Sequence, residues 1–142
     1  MKTINQILAI KGNQVFTTTP DTLIVDAVKE MAKKKVGALI VMLNDEIRGV
    51  ITEQDFSRRV ILADLDTAST KVQDVMTFPV EVISPRQSIN DGMAVMTEKR
   101  IRHLPVMDES KLIGLISIGD LVKEVISEHE STIEHLEQYI HS

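Results

Sequence analysis

Cysteine is absent from the 142 residues, which excludes a disulfide framework and a thiolate metal site and fits a reducing compartment. Tryptophan is absent as well. Phe16, Phe56, Phe78 and Tyr139 make up the whole aromatic complement, so stacking platforms for single-stranded nucleic acid are missing. No basic block offsets the formal net charge of −5, which speaks against a dominant DNA-binding surface. No apolar run approaches the length of a membrane span, and the N-terminal residues lack the hydrophobic stretch of a signal peptide. These absences lead to the expectation of a soluble, cytoplasmic protein for which neither membrane nor nucleic acid is the partner. The chain does have Val, Ile, Leu and Met in quantity. With 43% hydrophobic residues it can build a sizeable core at the length of one ordinary domain.

The chain is a duplication. A shift of 65 positions carries Gly49-Val50-Ile51-Thr52-Glu53-Gln54-Asp55 onto Gly114-Leu115-Ile116-Ser117-Ile118-Gly119-Asp120. Each copy has a glycine, an aliphatic run suited to a buried strand, and a hydroxyl residue three positions before an aspartate where a helix should begin. Two readings fit these residues. The hydroxyl and the carboxylate can form a capping box that satisfies the first amides of the helix. The same helix start, with amides, a hydroxyl and a carboxylate, can also bind a phosphate and a sugar diol. Recurrence after the same strand favours a pair of sites.

The rest of the chain repeats around these motifs. An arm at residues 3–8, with Ile4, Ile7 and Leu8 on one side, has its copy at residues 71–76, where Val72, Val75 and Met76 take the same places at a shift of 68. The three extra residues of the first copy fall around Gly12 and Asn13, a turn. From Val15 onward the copies align without a gap as strand (15–19 and 80–84), proline turn and helix, with Pro20 on Pro85, Asp26 on Asp91 and Met31 on Met96. The first helix is expected over residues 22–35 and its copy starts at Ser88 and Asp91, a second capping box. Two strands follow in each copy, over 36–43 and 47–51 and over 101–107 and 112–116, joined by turns at Asn44-Asp45 and Glu109-Ser110. A second helix runs through residues 56–62 in the first copy. In the second it continues toward the C-terminus with a stripe of Leu121, Val122, Val125, Ile126, His129, Ile133, Leu136 and Ile140, which either packs on its own domain or forms a self-association seam. The four histidines, His103, His129, His135 and His141, are dispersed and suit no metal site. With no nucleophile elbow and no Walker-type loop, an enzyme is not expected.

The order strand, helix, strand, strand, helix, with Arg-His-Leu-Pro-Val at residues 102–106 and Gly-x-x-Ser-x-x-Asp at 114–120, resembles the cystathionine-β-synthase (CBS) domain family. The resemblance covers nearly the whole chain. It implies an α/β fold of two tandem CBS repeats packed about a pseudo-twofold axis, a Bateman module, with an added C-terminal helix. The expected boundaries are 1–65 for the first repeat and its arm, 66–127 for the second, and 128–142 for the extension. The resemblance further implies two clefts for adenosine-containing ligands such as AMP, ADP, ATP, NAD or S-adenosylmethionine, no catalytic cofactor, a regulated partner protein, and a homodimer. In one cleft, Thr52, Gln54, Asp55 and Arg58 would face Ile101, Arg102 and His103. In the other, Ser117, Gly119, Asp120 and Lys123 would face Thr19, Val36, Gly37 and Ala38. The aspartates would accept from a ribose diol and the hydroxyls donate to phosphate or ribose oxygen. Gly37 and Ala38 would let a flat base approach the backbone, with Val36 over its face. Arg102 and His103 supply the first cleft with cations, whereas Lys123 is the nearest for the second in sequence. Gln54 stands where relatives often carry arginine, and Gly119 offers no side chain. The alternative is a scaffold whose clefts are vestigial and whose C-terminal helix does the work.

Overall fold

The structure, a computed structural model, describes residues 2–141, with side chains as far as Gln138. It divides into two compact units, Met1–Gln14 with Val82–Ser142, and Val15–Glu81. The division does not follow the sequence repeats, because the arms are exchanged. Helix α1 (Ile4–Lys11) begins at a capping box of Thr3 and Gln6 and ends at Gly12, whose φ of 99° lies in the region glycine tolerates best. Its apolar side of Ile4, Ile7 and Leu8 is buried among Ile83, Ile89, Leu104, Val106, Ile116 and Leu121, all from the second repeat. The Ile4 N–H donates to the Gln87 carbonyl at 2.8 Å and the Lys2 ammonium pairs with the mostly buried Glu124. The arm placed with the first repeat on sequence grounds therefore packs on the second.

In the unit Val15–Glu81, β1 (Thr17–Thr18) lies parallel to β2 (Ala38–Leu43), which is antiparallel to β3 (Glu46–Thr52). Between them comes α2 (Ile24–Lys34), shorter at both ends than expected, which leaves the helix through Lys35 in a left-handed conformation. Asn44 and Asp45 both have positive φ, 52° and 63°, as a two-residue hairpin turn requires. Helix α3 (Glu53–Asp55) starts at the end of β3 and continues as a π-helix over Phe56–Ile61. The second arm, α4 (Val72–Val75), closes the unit by burying Val72 and Val75 against Ile24, Leu39, Ile51 and Val60. Residues 66–81, assigned to the second repeat from sequence, thus belong with the packing of the first.

The other unit repeats this plan with α5 (Ile89–Lys99), β4 (His103–Asp108), β5 (Lys111–Ser117) and α6 (Ile118–His141). Ser88 and Asp91 form the expected reciprocal cap of α5, at 3.1 and 2.9 Å. The expected strand over residues 80–84 is reduced to one parallel bridge between Ile83 and Val106. The reason is Pro105. In the first repeat the matching Ile40 N–H donates to the Phe16 carbonyl and extends the ladder, but a proline has no N–H to give. The side chains of Tyr139, Ile140 and His141 lie outside the described residues, so the stripe is followed only to Leu136. Among the described residues no helix is long and apolar enough to cross a membrane.

The exchanged arms make a prediction that sequence repeats alone would not. Leu8→Ala, which empties a site only 6% exposed, should cost about 2–5 kcal/mol of stability and should speed hydrogen exchange in β4, β5 and α5. Faster exchange in β2 and β3 in place of that pattern would contradict the arm assignment.

Candidate functional site

Each repeat turns from strand to helix at its Thr/Ser-x-x-Asp motif, and the turn is tied internally. The Thr52 N–H donates to Asp55 Oδ2 at 2.8 Å, while the Asp55 N–H donates back to the Thr52 hydroxyl at 3.4 Å. Ser117 and Asp120 repeat the exchange at 2.8 and 3.2 Å. The capping geometry is therefore present in both copies. The first helical amides are used as well. Glu53 N–H donates to the Gly37 carbonyl at 3.2 Å and Ile118 N–H to the Arg102 carbonyl at 2.8 Å. The amide between the capped ones belongs to Gln54 in one copy and Gly119 in the other, and it is the donor left for an anion. At Gly119 an added Cβ would come no closer than 3.6 Å to the Ser117 hydroxyl, so packing does not force a glycine there. Gly119 itself is exposed.

The surroundings of the two aspartates differ. The Asp55 side chain is 9% exposed and its Oδ1 receives the Thr77 hydroxyl at 3.2 Å, with Arg59 Nε 3.8 Å away. Arg59 also donates to the carbonyls of Val75 and Met76, at 3.1 and 3.0 Å, so it is held against α4. Arg58, the cation expected from sequence, is exposed. The spacing of four residues on a helix is the local signal for the Asp55–Arg59 pair.

Asp120 is more open, with a side chain 25% exposed, and its Oδ2 receives the Lys11 ammonium at 2.6 Å. Burial on its own would push this carboxyl up. The hydrogen bond from Lys11, the Ser117 N–H, the charge of Lys11 and the Ser117 hydroxyl outweigh burial and hold it below the usual carboxylate range. Lys123, the cation expected here, is exposed on α6. Lys11 lies 109 residues away in the chain, and nothing in local spacing points to it.

The remaining expected residues fall at strand starts. Within its own sheet Ala38 is paired with Thr52, and His103 with Ser117, so each strand start is the neighbour of its own repeat's motif. Arg102 is exposed, Ile101 and His103 are half-buried, and Thr19 is exposed with its hydroxyl bonded to Asp21 at 2.7 Å and Thr22 at 2.8 Å. Val36 and Gly37 line a pocket of about 500 Å³ with Val28, Met31, Glu53 and Phe56, inside the range of small-molecule sites. Glu53 and Phe56 were not singled out from sequence, although Phe56 directly follows the aspartate. Among the described residues no cluster of His, Asp and Glu could hold a metal ion.

The repeat geometry has a counterpart among known proteins. The CBS domain model matches residues 9–62 and 72–127. The chain belongs to the CBS domain family. A mitochondrial CBS domain-containing protein of Arabidopsis thaliana, CBSX3, is 38% identical over 97% of this chain and 71% of its own length. The structure of a protein with CBS domains from Burkholderia ambifaria MC40-6 superposes with a TM-score of 0.86 at 47% identity, over 89% of this chain and 95% of that one. The CBS domain pair of protein MJ0100, solved with 5′-methylthioadenosine and S-adenosylmethionine, shares the fold with a TM-score of 0.78 at 18% identity, over 90% of this chain and 98% of that one. Membership in the family does not set a compartment, since the Arabidopsis relative is named as mitochondrial.

The lowered titration of Asp120 sets a pH dependence. A carboxylate depressed in the folded state stabilises it above the unfolded value of about 3.9, and that contribution is lost as pH falls through the folded value. Lys11→Met should therefore move the Asp120 titration upward in a carboxyl-detected NMR experiment. It should also flatten the fall of stability with acid below about pH 4.

Proposed function

We propose that the protein is a regulatory module that binds adenosine-containing nucleotides and passes their occupancy to a partner protein. The observation that carries this reading is the repeated strand-to-helix turn, in which an aspartate, a hydroxyl and one helix amide converge in a chain of the CBS domain family. An ionised carboxylate accepts from a diol, and the hydroxyl and amide suit phosphate oxygen. Adenosine compounds bound to another CBS pair of the same fold support the ligand class. In this reading Thr52 and Asp55 hold one ligand and Ser117 and Asp120 the other, with Val36, Gly37 and Phe56 as an apolar surface for a base. No step of bond making or breaking is part of it.

The test is thermal stabilisation. AMP, ATP, NAD and S-adenosylmethionine are each added to the full chain, and a binder raises stability by about 2.7 kcal/mol at one hundred times its dissociation constant. Asp120→Asn retains a capping side chain but loses the charged acceptor, so it should keep most ligand-free stability and lose most of the nucleotide-induced shift. Melting curves unmoved by all four compounds at millimolar concentration would reject the nucleotide reading.

A second reading has its own observation. On α6, Ile126, Ile133 and Leu136 are 53%, 54% and 58% exposed, and they recur at helical spacing beyond the core residue Leu121. We propose this stripe as a seam between two copies, whether or not the clefts are occupied. Light scattering at tens of micromolar should give a dimer, weakened by Ile133→Glu with Leu136→Glu. A monomer under the same conditions would remove this reading.

A further inference from the structure

The two arms deliver chemically different groups to equivalent places. In the unit Val15–Glu81, Thr77 follows α4 and runs beside β3. Its N–H donates to the Val50 carbonyl at 2.9 Å and its hydroxyl donates to Asp55 at 3.2 Å. In the other unit, the residue matching Val50 is Leu115 and the residue matching Asp55 is Asp120. Lys11 reaches both, with its ammonium 2.7 Å from the Leu115 carbonyl and 2.6 Å from Asp120 Oδ2. The three extra residues of the first arm make this possible. They let α1 run on to Lys11 before Gly12 ends it, so a side chain takes over what a backbone amide and a hydroxyl do in the other copy. A neutral, short donor at one aspartate is replaced at the other by a charged donor on a flexible stem, one-third exposed.

We propose that Lys11 is a built-in occupant of the Asp120 acceptor and the residue that makes this site select phosphorylated ligands. The proposal rests on the nucleotide reading of the preceding section. A ribose diol needs the carboxylate oxygens, and one of them already holds the ammonium. A nucleoside without phosphate must displace a charge-assisted hydrogen bond and leaves the ammonium with no anion in return. A nucleotide gives the displaced ammonium a phosphate oxygen, and the four-carbon stem lets the group move without moving the helix. At Asp55 the hydrogen-bonded donor is the uncharged Thr77, and the cation Arg59 stands farther off, at 3.8 Å, with its guanidinium bonded to two carbonyls.

AMP and adenosine are titrated separately onto the full chain while the Asp120 carboxyl resonance is followed, so that only this site is read. In the wild-type protein AMP should bind at Asp120 about tenfold or more tightly than adenosine, the scale of one charge-assisted hydrogen bond. Lys11→Met should bring the ratio close to one with adenosine unchanged or tighter, and Lys11→Arg should restore a preference for AMP. Lys11→Gln, which keeps a donor for the Leu115 carbonyl, replaces the methionine variant if that one unfolds. Equal weakening of both ligands, or an unchanged ratio, would overturn the proposal and leave the nucleotide reading standing. If neither ligand reaches Asp120 in the wild type or in any variant, this proposal falls, while the melting test with four compounds decides the nucleotide reading separately. AMP binding that appears only once Lys11 is replaced would likewise overturn the proposal.

Discussion

The reciprocal hydrogen bonds between the last strand residue and the third residue of the helix are the constraint on which both halves of the molecule depend. They fix the turn from β3 into α3 and from β5 into α6, and they set where each carboxylate points. The strand start beside them is locked by the same arrangement, since Gly37 and Arg102 each accept the first helical amide. Capping and ligand binding use the same atoms. A carboxylate has room for several donors, so a cap that occupies one oxygen does not exhaust its capacity to accept.

Against this common frame the differences between the copies carry the chemistry. Asp55 is enclosed by Thr77 and held near Arg59, whereas Asp120 is more open and paired with Lys11. A duplicated fold keeps its backbone plan even where side chains diverge. The left-handed helix ends at Lys35 and Arg100 and the bulges after Val41 and Val106 fall at matching places. The shared plan leaves each site to be tuned by the few groups that differ around it.

Local pattern revealed most of the fold. The aliphatic runs, the capping residues Ser88 and Asp91, and the turn at Asn44-Asp45 each encode their structure within a few residues, and the shift of 65 positions brought the two motifs into register. The strand at residues 80–84 was misjudged because its loss depends on Pro105, a residue on the neighbouring strand. Where the arms dock is hidden for the same kind of reason. Ile4, Ile7 and Leu8 declare an apolar face, but an apolar face does not say which core it enters. At the site, Arg59 was within reach of helical spacing, whereas the contact of Lys11 with Asp120 is long-range and has no local signature.

The exchange of arms has a consequence for how the chain reaches its native state. Helix α1 is made before the residues that bury it, which begin at Ile83 and extend to Leu121. An eight-residue helix is not stable alone in water. During synthesis α1 must therefore wait, apolar side exposed, while the unit Val15–Glu81 can already close around its own sheet. The arm docks only once the residues of the second repeat have followed it.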